Sequence, residues 1–523
     1  MKMVSIYDTT LRDGSQTEGI SYSLQDKINI VKRLDSIGID FIEGGWPFSN
    51  PKDTQLFAHF KKKKLKKSKL VPFGSTARWG KAASMDKNLL ALIKTGTEYV
   101  TIFGKSWDLH VKTVLKISLD DNVKLISDSV KFLKKKGKKV FYDAEHFFDG
   151  YKANPKYALK TVLAAQEAGA ELIVFCDTNG GILSWEIEQI IKEAQAAGVK
   201  GFGIHCHNDL GFALANSLVA VNLGASQVQG TINGYGERCG NADLIAAMGI
   251  LKFKMNRGLA ASKKISDLTE LSHFVSEVSN MAHRDSYPLV GRSAFAHKGG
   301  VHIDAMIKNP LAYEHMNPSL VGNHRRFLVS ELAGKASLVA KAKELEYDLD
   351  KKSPKAKRLH KRIQELEKQG YHFEAAEGSF KLLLKKEFKE YRKFFDLLGF
   401  KVSVEKREDN SLISEAAIKL KVKGKLQHTA AEGDGPVNAL DNALRKALLG
   451  VYPSLSKMHL ADFKVRVLDD KTGTAAKVRV LIESQDTKES WATVGVSENI
   501  IEASWQALVD SVEYKLLKDS KNN

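Results

Sequence analysis

Through its first 256 residues the chain alternates short apolar runs with longer stretches of helical rhythm. The runs lie at 4–10, 41–47, 70–76, 99–104, 139–145, 172–178, 202–208 and 227–233, and each reads as a strand. Between them, apolar residues spaced three and four apart mark amphipathic helices at 24–37, 54–66, 119–136, 157–168, 185–197 and 210–223. Gly38, Gly137, Gly169 and Gly198 stand where helices must stop and the chain must turn left-handed into the next strand. Eight strands, each leading into a helix, predict an α/β fold, a (β/α)8 or TIM barrel.

The pattern changes after residue 256. A helical stretch at 268–281 leads into a Gly- and His-rich segment at 293–304, and residues 336–390 are helical and rich in lysine. From about 402 strand alternation returns, with a weak internal duplication. Residues 426–447 (LQHTAAEGDGPVNALDNALRKA) and 491–512 (WATVGVSENIIEASWQALVDSV) both read strand, turn, helix, each after alternating strands. The expected organisation is a catalytic barrel at 1–256, a helical accessory and linker region at 257–395, and a pseudosymmetric α+β domain at 396–523. That last domain has no cluster of catalytic type and suits ligand sensing or dimerisation.

Composition narrows the class. A chain of 523 residues exceeds one ordinary core. Three cysteines, Cys176, Cys206 and Cys239, fit no disulfide framework or zinc knuckle. With no signal-peptide pattern and no membrane-length apolar stretch, a cytoplasmic protein without a membrane partner is expected. The net charge of +18 raises nucleic-acid binding as a rival. But the lysine runs at 61–64 and 134–136 fall on amphipathic helices, where they read as solvated faces, and no aromatic-interleaved basic strand accompanies them. No nucleic acid is expected.

The polar residues of the barrel fall at one end. Arg12 and Asp13 follow the first strand, Glu145 ends the fifth, Thr178 the sixth, and His205 and His207 the seventh; Asn241 sits in the loop after the eighth. Barrel active sites are built at that face. In a strand, His205 and His207 share one side and Cys206 points away. Two imidazoles, the Asp13 carboxylate and the Asn241 carbonyl form a ligand set for a divalent cation: magnesium, manganese or zinc. Four such ligands leave about two octahedral places, which an α-keto acid fills through its carboxylate and ketone oxygens. Arg12 is placed to steady enolate or alkoxide charge, or to sit in a rim salt bridge. Thr178 and Glu145 serve either a substrate carboxylate and a base or plain structural hydrogen bonds. The Gly-rich loop at 234–241 opens a helix, so its N–H groups are available to an anion. Cys239 reads as a loop residue.

At these residues the sequence resembles the metal-dependent acyl-CoA condensing barrels, the family that includes isopropylmalate, homocitrate and citramalate synthases. The resemblance is carried by LRDGSQ (11–16) with Lys27, HCHNDLGFALAN, GTINGYGERCGNADL, FAHKGGVHIDA and GDGPVNALDNALRKAL, and spans nearly the whole chain. It implies that Asp13, His205, His207 and Asn241 bind the metal, Arg12 stabilises an enolate, and Thr178 contacts the keto-acid carboxylate. It also implies that Glu145 works with His302 in acid–base chemistry on acetyl-CoA, with Tyr313 nearby. A homodimer follows, because in the family the accessory segment reaches a neighbouring subunit. YDTTLRDGSQTEGISYS, EGGWPFSNPKD and YDAEHFFDGYKANP are most similar to the citramalate branch, which implies pyruvate and acetyl-CoA as substrates and a branched-chain amino acid, isoleucine first and leucine second, as effector. Two alternatives stay open: a 2-ketoisovalerate-using isopropylmalate synthase, and a lyase running C–C cleavage on the same ligand set.

Overall fold

The computed structural model describes residues 2–328, 335–468, 476–487 and 489–520. They form two compact units: Met1–Phe295 with Met316–His324, and Ala296–His315 with Arg325–Asn523.

The first unit is a closed parallel barrel of eight strands: β1 Ser5–Asp8, β2 Phe41–Gly45, β3 Lys69–Ser75, β4 Tyr99–Lys105, β5 Lys139–Glu145, β6 Leu172–Asp177, β7 Phe202–Cys206 and β8 Gln227–Gly230. Closure is completed by β1, which pairs with β2 on one side and β8 on the other. The surrounding helices are α1 Leu24–Ile37, α2 Pro51–Lys62, α3 Lys87–Lys94, α4 Leu119–Lys135, α5 Pro155–Glu167, α6 Ser184–Ala196, α7 Ala213–Asn222 and α8 Leu244–Phe253. The expected glycines do stop helices: φ at Gly38, Gly137, Gly169 and Gly198 runs from 76° to 104°. α2 starts earlier than its hydrophobic rhythm suggested, because Asn50 caps it and Pro51 takes the first turn. α7 starts later, at Ala213, because Gly211 (φ 78°) holds a turn before it. α3, capped by Asp86, is too short to leave a rhythm of its own.

Alternation along the strands sorts side chains into two cores. Outward residues such as Ile6, Ile42, Val100, Ile102, Val140, Ile204 and Val228 are buried against the helices. Inward residues fill the barrel in layers. At the bottom, Tyr7, Phe41, Tyr99 and Phe141 stack on one another with centroids 5.0–6.1 Å apart. The Tyr7 hydroxyl then starts a polar layer, donating to Glu43 at 2.7 Å and lying 2.7 Å from Thr101 Oγ1. Helix α9, Leu268–Val278, packs on the same core through Leu268, Leu271 and Val275.

In the second unit, α10 is Gly300–Lys308. Helices α11 Lys335–Glu344, α12 Pro354–Lys368 and α13 Glu377–Glu387 follow, sharing a small core of Leu338, Leu359, Ile363, Phe373 and Phe380. The expected duplication is present. Strands β9 Phe395–Lys406, β10 Leu412–Val422 and β11 Lys425–Gly433 form an antiparallel sheet before helix α14, Pro436–Leu448. Strands β12 His459–Val467, β13 Val478–Gln485 and β14 Ser490–Ser497 do the same before α15, Ile500–Ser520. Both modules contribute to one core, with Ile418 and Leu444 from the first and Ile482 and Leu508 from the second. β9 begins at Phe395, ahead of the alternation read from 402, because Leu397 and Leu398 are exposed and a register shift follows. Among the described residues no helix is long and apolar enough to cross a membrane.

One ion pair orders the turn after β2. Lys27, in α1, is buried against Asp53, in α2. Asp53 also accepts the Trp46 N–H at 2.9 Å and occupies the space a Cβ on Gly45 would need, 2.2 Å away. Only glycine fits there, and at φ 119°. Trp46 in turn packs edge-on against Phe73 and Phe103. Replacing Lys27 with Met strands a buried carboxylate, so Lys27→Met is expected to cost about 3–5 kcal/mol in urea unfolding. A loss below about 1 kcal/mol would remove the pair from this role.

Candidate active site

Above the polar layer the barrel opens into a cavity of about 180 Å³ at the C-terminal ends of the strands. Its wall includes Arg12, Asp13, Phe73, Phe103, Glu145 and Thr178, with His205 and His207. Asp13, His205 and His207 are buried, and their ligand atoms all lie within 4.8 Å of one another. His205 Nε2 is 3.4 Å from Asp13 Oδ2. The two imidazoles point together, with centroids 5.3 Å apart, while Cys206 is fully buried in the outer core.

Three observations fit this set to a cation. First, Asp13 Oδ2, His207 Nδ1 and Asn241 Oδ1 are buried without a hydrogen-bond partner, a costly arrangement unless something compensates them. Second, the orientation of His205 is fixed. The Gln229 amide donates to Asp143 Oδ1 at 3.3 Å and to Gln227 Oε1 at 3.2 Å. Gln229 Oε1 therefore faces His205 Nδ1, 3.0 Å away, as an acceptor. That places the proton on Nδ1 and the lone pair on Nε2, toward Asp13. Third, the charges are those of ligands. Burial, followed by the His205 imidazole, pushes the His207 pKa down to about 3, so the ring is neutral. Burial works to raise Asp13, but the Arg12 guanidinium outweighs it and holds its pKa below the usual carboxylate value. Asn241 is oriented by its own amide, which donates to the Tyr235 carbonyl at 3.1 Å and leaves Oδ1 on the other side.

Arg12 is locked on three sides. Nε donates to Glu43 at 2.6 Å, Nη1 pairs with Asp13, and the guanidinium lies 3.8 Å from the Phe73 ring centre. The arginine is salt-bridged, and it also lines the cavity. Thr178 Oγ1 accepts the His146 N–H at 2.9 Å, so its own hydroxyl proton remains to be donated. His146 reaches this position only by adopting a left-handed conformation, φ 53°. Glu145 is ion-paired with Lys105, at the end of β4.

Glu43, Lys105, Asp143, Gln229 and His146 were missed in the sequence. The sequence shows only that they are polar residues on or just after barrel strands, as Glu43 is in FIEGG at 41–45; which of them point inward is set when the sheet closes. The Gly-rich loop differs from expectation. It folds on itself, and a Cβ on Gly236 would lie 2.2 Å from Asn241 Nδ2. Helix α8 begins only at Leu244, where the Asp243 carboxylate takes the Ile245 N–H at 2.9 Å. The terminus is filled by the chain's own anion. What the loop does is carry Asn241. Asn233 (φ 62°) anchors its start, donating to the Ser272 carbonyl at 2.9 Å and to Ser276 Oγ at 3.0 Å on α9. His302 and Tyr313 belong to the second unit, where their rings stack 4.2 Å apart. Glu314, beside Tyr313, is buried and paired with Arg325, and His297 Nε2 lies 3.4 Å from it.

The HMGL-like family profile matches residues 3–275. The homocitrate synthase post-HMGL domain-like profile matches 289–371, and the LeuA allosteric (dimerisation) domain profile matches 374–516. Over its length the chain is 54% identical to the (R)-citramalate synthase of Geobacter sulfurreducens, covering 100% of this chain and 99% of that protein. It is 53% identical to the enzyme of the same name from Aquifex aeolicus, covering 99% and 98%. The 2-isopropylmalate synthase of Methanocaldococcus jannaschii is 30% identical, covering 99% and 96%. Among solved structures, the HMG-CoA lyase of Bacillus subtilis aligns with 55% of this chain and 97% of its own, at TM-score 0.48 and 17% identity.

Two tests follow from the site. Cobalt(II) titration, read by visible absorption, should show a single site whose affinity falls at least about 100-fold in Asp13→Asn and His207→Ala, and about 10- to 100-fold in Gln229→Leu. Unchanged affinity in His207→Ala would dissolve the site. The second concerns Asp177, whose Oδ2 is buried without a partner and whose pKa burial raises to about 7. The native state then keeps this proton where the unfolded chain releases it, so stability is full below pH 4 and declines as pH rises toward 7. Asp177→Asn, in metal-free protein, should match the parent at pH 4 and exceed it at pH 8 by on the order of 2–4 kcal/mol. Equal stability at both pH values would contradict this.

Proposed function

The chain belongs to the (R)-citramalate synthase family of HMGL-like barrels, and we propose that it condenses acetyl-CoA with pyruvate and hydrolyses the thioester to give (R)-citramalate and CoA. A base takes a proton from the acetyl methyl. The carbon so exposed bonds to the ketone carbon of pyruvate, whose oxygen takes up a proton. Water then cleaves the thioester and releases the free thiol.

Asp13, His205, His207 and Asn241 would hold the cation. Bound there, magnesium, manganese or zinc supplies Lewis acidity and open places for the carboxylate and ketone oxygens of the keto acid. The protein's own groups do the rest. Arg12 spends Nε on Glu43 and Nη1 on Asp13, so its remaining amino group faces substrate as a fixed positive charge for the enolate oxygen. The Thr178 hydroxyl donates to the keto-acid carboxylate. Glu145, with His302 and Tyr313, carries the proton traffic at the acetyl methyl. Lys105 keeps the Glu145 carboxylate oriented.

The observation that carries this reading is the meeting of Asp13, His205 and His207 over so small a cavity. Phe73 and Phe103 line the cavity, and the two extra carbons of 2-ketoisovalerate would be placed against that aromatic wall. The matched allosteric (dimerisation) domain supports a homodimer. We read its effector as a branched-chain amino acid, isoleucine before leucine, and the enzyme as cytoplasmic, serving isoleucine synthesis independent of threonine.

A keto-acid panel with acetyl-CoA, read as free thiol, should favour pyruvate over 2-ketoisovalerate by at least about 100-fold in kcat/KM. EDTA should abolish turnover, and added manganese should restore it. Phe103→Ala should narrow the preference by about tenfold or more by admitting the branched substrate. A preference for 2-ketoisovalerate in the parent enzyme would make it an isopropylmalate synthase.

A further inference from the structure

Two serines of α9 sit on the side of the helix that meets the barrel. Ser272 and Ser276 are four residues apart, so they share one face, and both are buried. α9 stands outside the eight strand–helix units, and the profile that matches the barrel ends at 275. Leu271 and Val275 beside the serines belong to the apolar core. A buried hydroxyl costs stability unless it is bonded. Serine within a helix commonly bonds back to a carbonyl one turn earlier. Here both hydroxyls meet the loop between β8 and α8 instead.

The Ser272 hydroxyl donates to Asn233 Oδ1 at 2.5 Å. Its only proton is then spent, so its oxygen accepts from His283 Nε2, 2.8 Å away. The Asn233 amide returns two bonds, to the Ser272 carbonyl at 2.9 Å and to Ser276 Oγ at 3.0 Å. Ser276 Oγ also lies 3.0 Å from the Tyr235 hydroxyl. The segment pinned in this way, Asn233 to Tyr235, supplies the two carbonyls that hold Asn241. Gly234 accepts the Asn241 backbone N–H at 3.0 Å, and Tyr235 accepts its side-chain amide at 3.1 Å. Asn241 Oδ1 is left buried without a partner, and the Asn241 backbone pairs with that of His207. His205, by contrast, is oriented by Gln229 from inside the barrel.

We propose that Ser276 and Tyr235 are positioning residues for the cation: their hydroxyl contact fixes, through the Tyr235 carbonyl, the direction of Asn241 Oδ1. A helix outside the barrel thereby sets one ligand and leaves the histidine pair alone. The inference rests on the reading of Asp13, His205, His207 and Asn241 as a cation site, and on no step of the condensation. Binding is measured without turnover, so the two fail separately.

The test is cobalt(II) titration of the full chain, read by visible absorption. Ser276→Ala and Tyr235→Phe each delete one hydroxyl. Each should weaken cobalt about tenfold and move its absorption toward that of Asn241→Ala. Added to Asn241→Ala, either change should cost less than about twofold further, because the ligand it positions is gone. Added to Gln229→Leu, which loosens His205 instead, each should cost about tenfold again. A barrel softened as a whole would lose affinity in both backgrounds alike, and that result overturns the proposal. So does affinity within about twofold of the parent in a folded variant. Should Ser276→Ala not fold, Tyr235→Phe decides. A parent protein without a cobalt site contradicts the cation reading, and the proposal with it. An intact site indifferent to both hydroxyls removes the proposal alone.

Discussion

The site depends on a chain of charges inside a closed barrel: Glu43 holds Arg12, Arg12 holds Asp13, and Asp13 faces the imidazoles of His205 and His207. Buried charges are tolerated only when each has a partner, and Asp13 has one in Arg12. Its second oxygen, Oδ2, is buried without a hydrogen bond, as are His207 Nδ1 and Asn241 Oδ1. This ties the chemistry to the fold. The aromatic floor excludes water from below, the amide of Gln229 sets the His205 tautomer, and the cavity above stays small.

Much of this was legible in the sequence because barrel strands alternate so strictly. The spacing of His205 and His207 already put both rings inward and Cys206 outward, and the structure has them so. Asp13, Arg12, Glu145 and Thr178 were located by their places at strand ends, and all line one cavity. Glu43 and Gln229 escaped notice because nothing local distinguishes an inward polar side chain from an edge one; only closure of the sheet tells them apart. The Gly-rich loop misled for the opposite reason. Its glycines serve close backbone packing around Asn241 and leave no open helix terminus for a ligand.

The second unit was readable in outline and blurred in detail. The repeated strand–turn–helix was visible because α14 buries one face and α15 is buried along most of its length. The outer strands were legible only in part, with alternation in β9 read from 402, since β9 and β12 are largely exposed and their alternation carries little contrast. A groove between α12, α13 and α15 had no sequence signature at all. Its residues come from 358 to 510, and only packing brings them together.

The most direct measurement is electron spin echo modulation of manganese(II) bound to the full-length protein. Two imidazole nitrogens coupled to the ion, reduced to one in His205→Ala, is the predicted result. A spectrum without nitrogen coupling in the parent protein would place the cation away from the histidine pair and contradict the account.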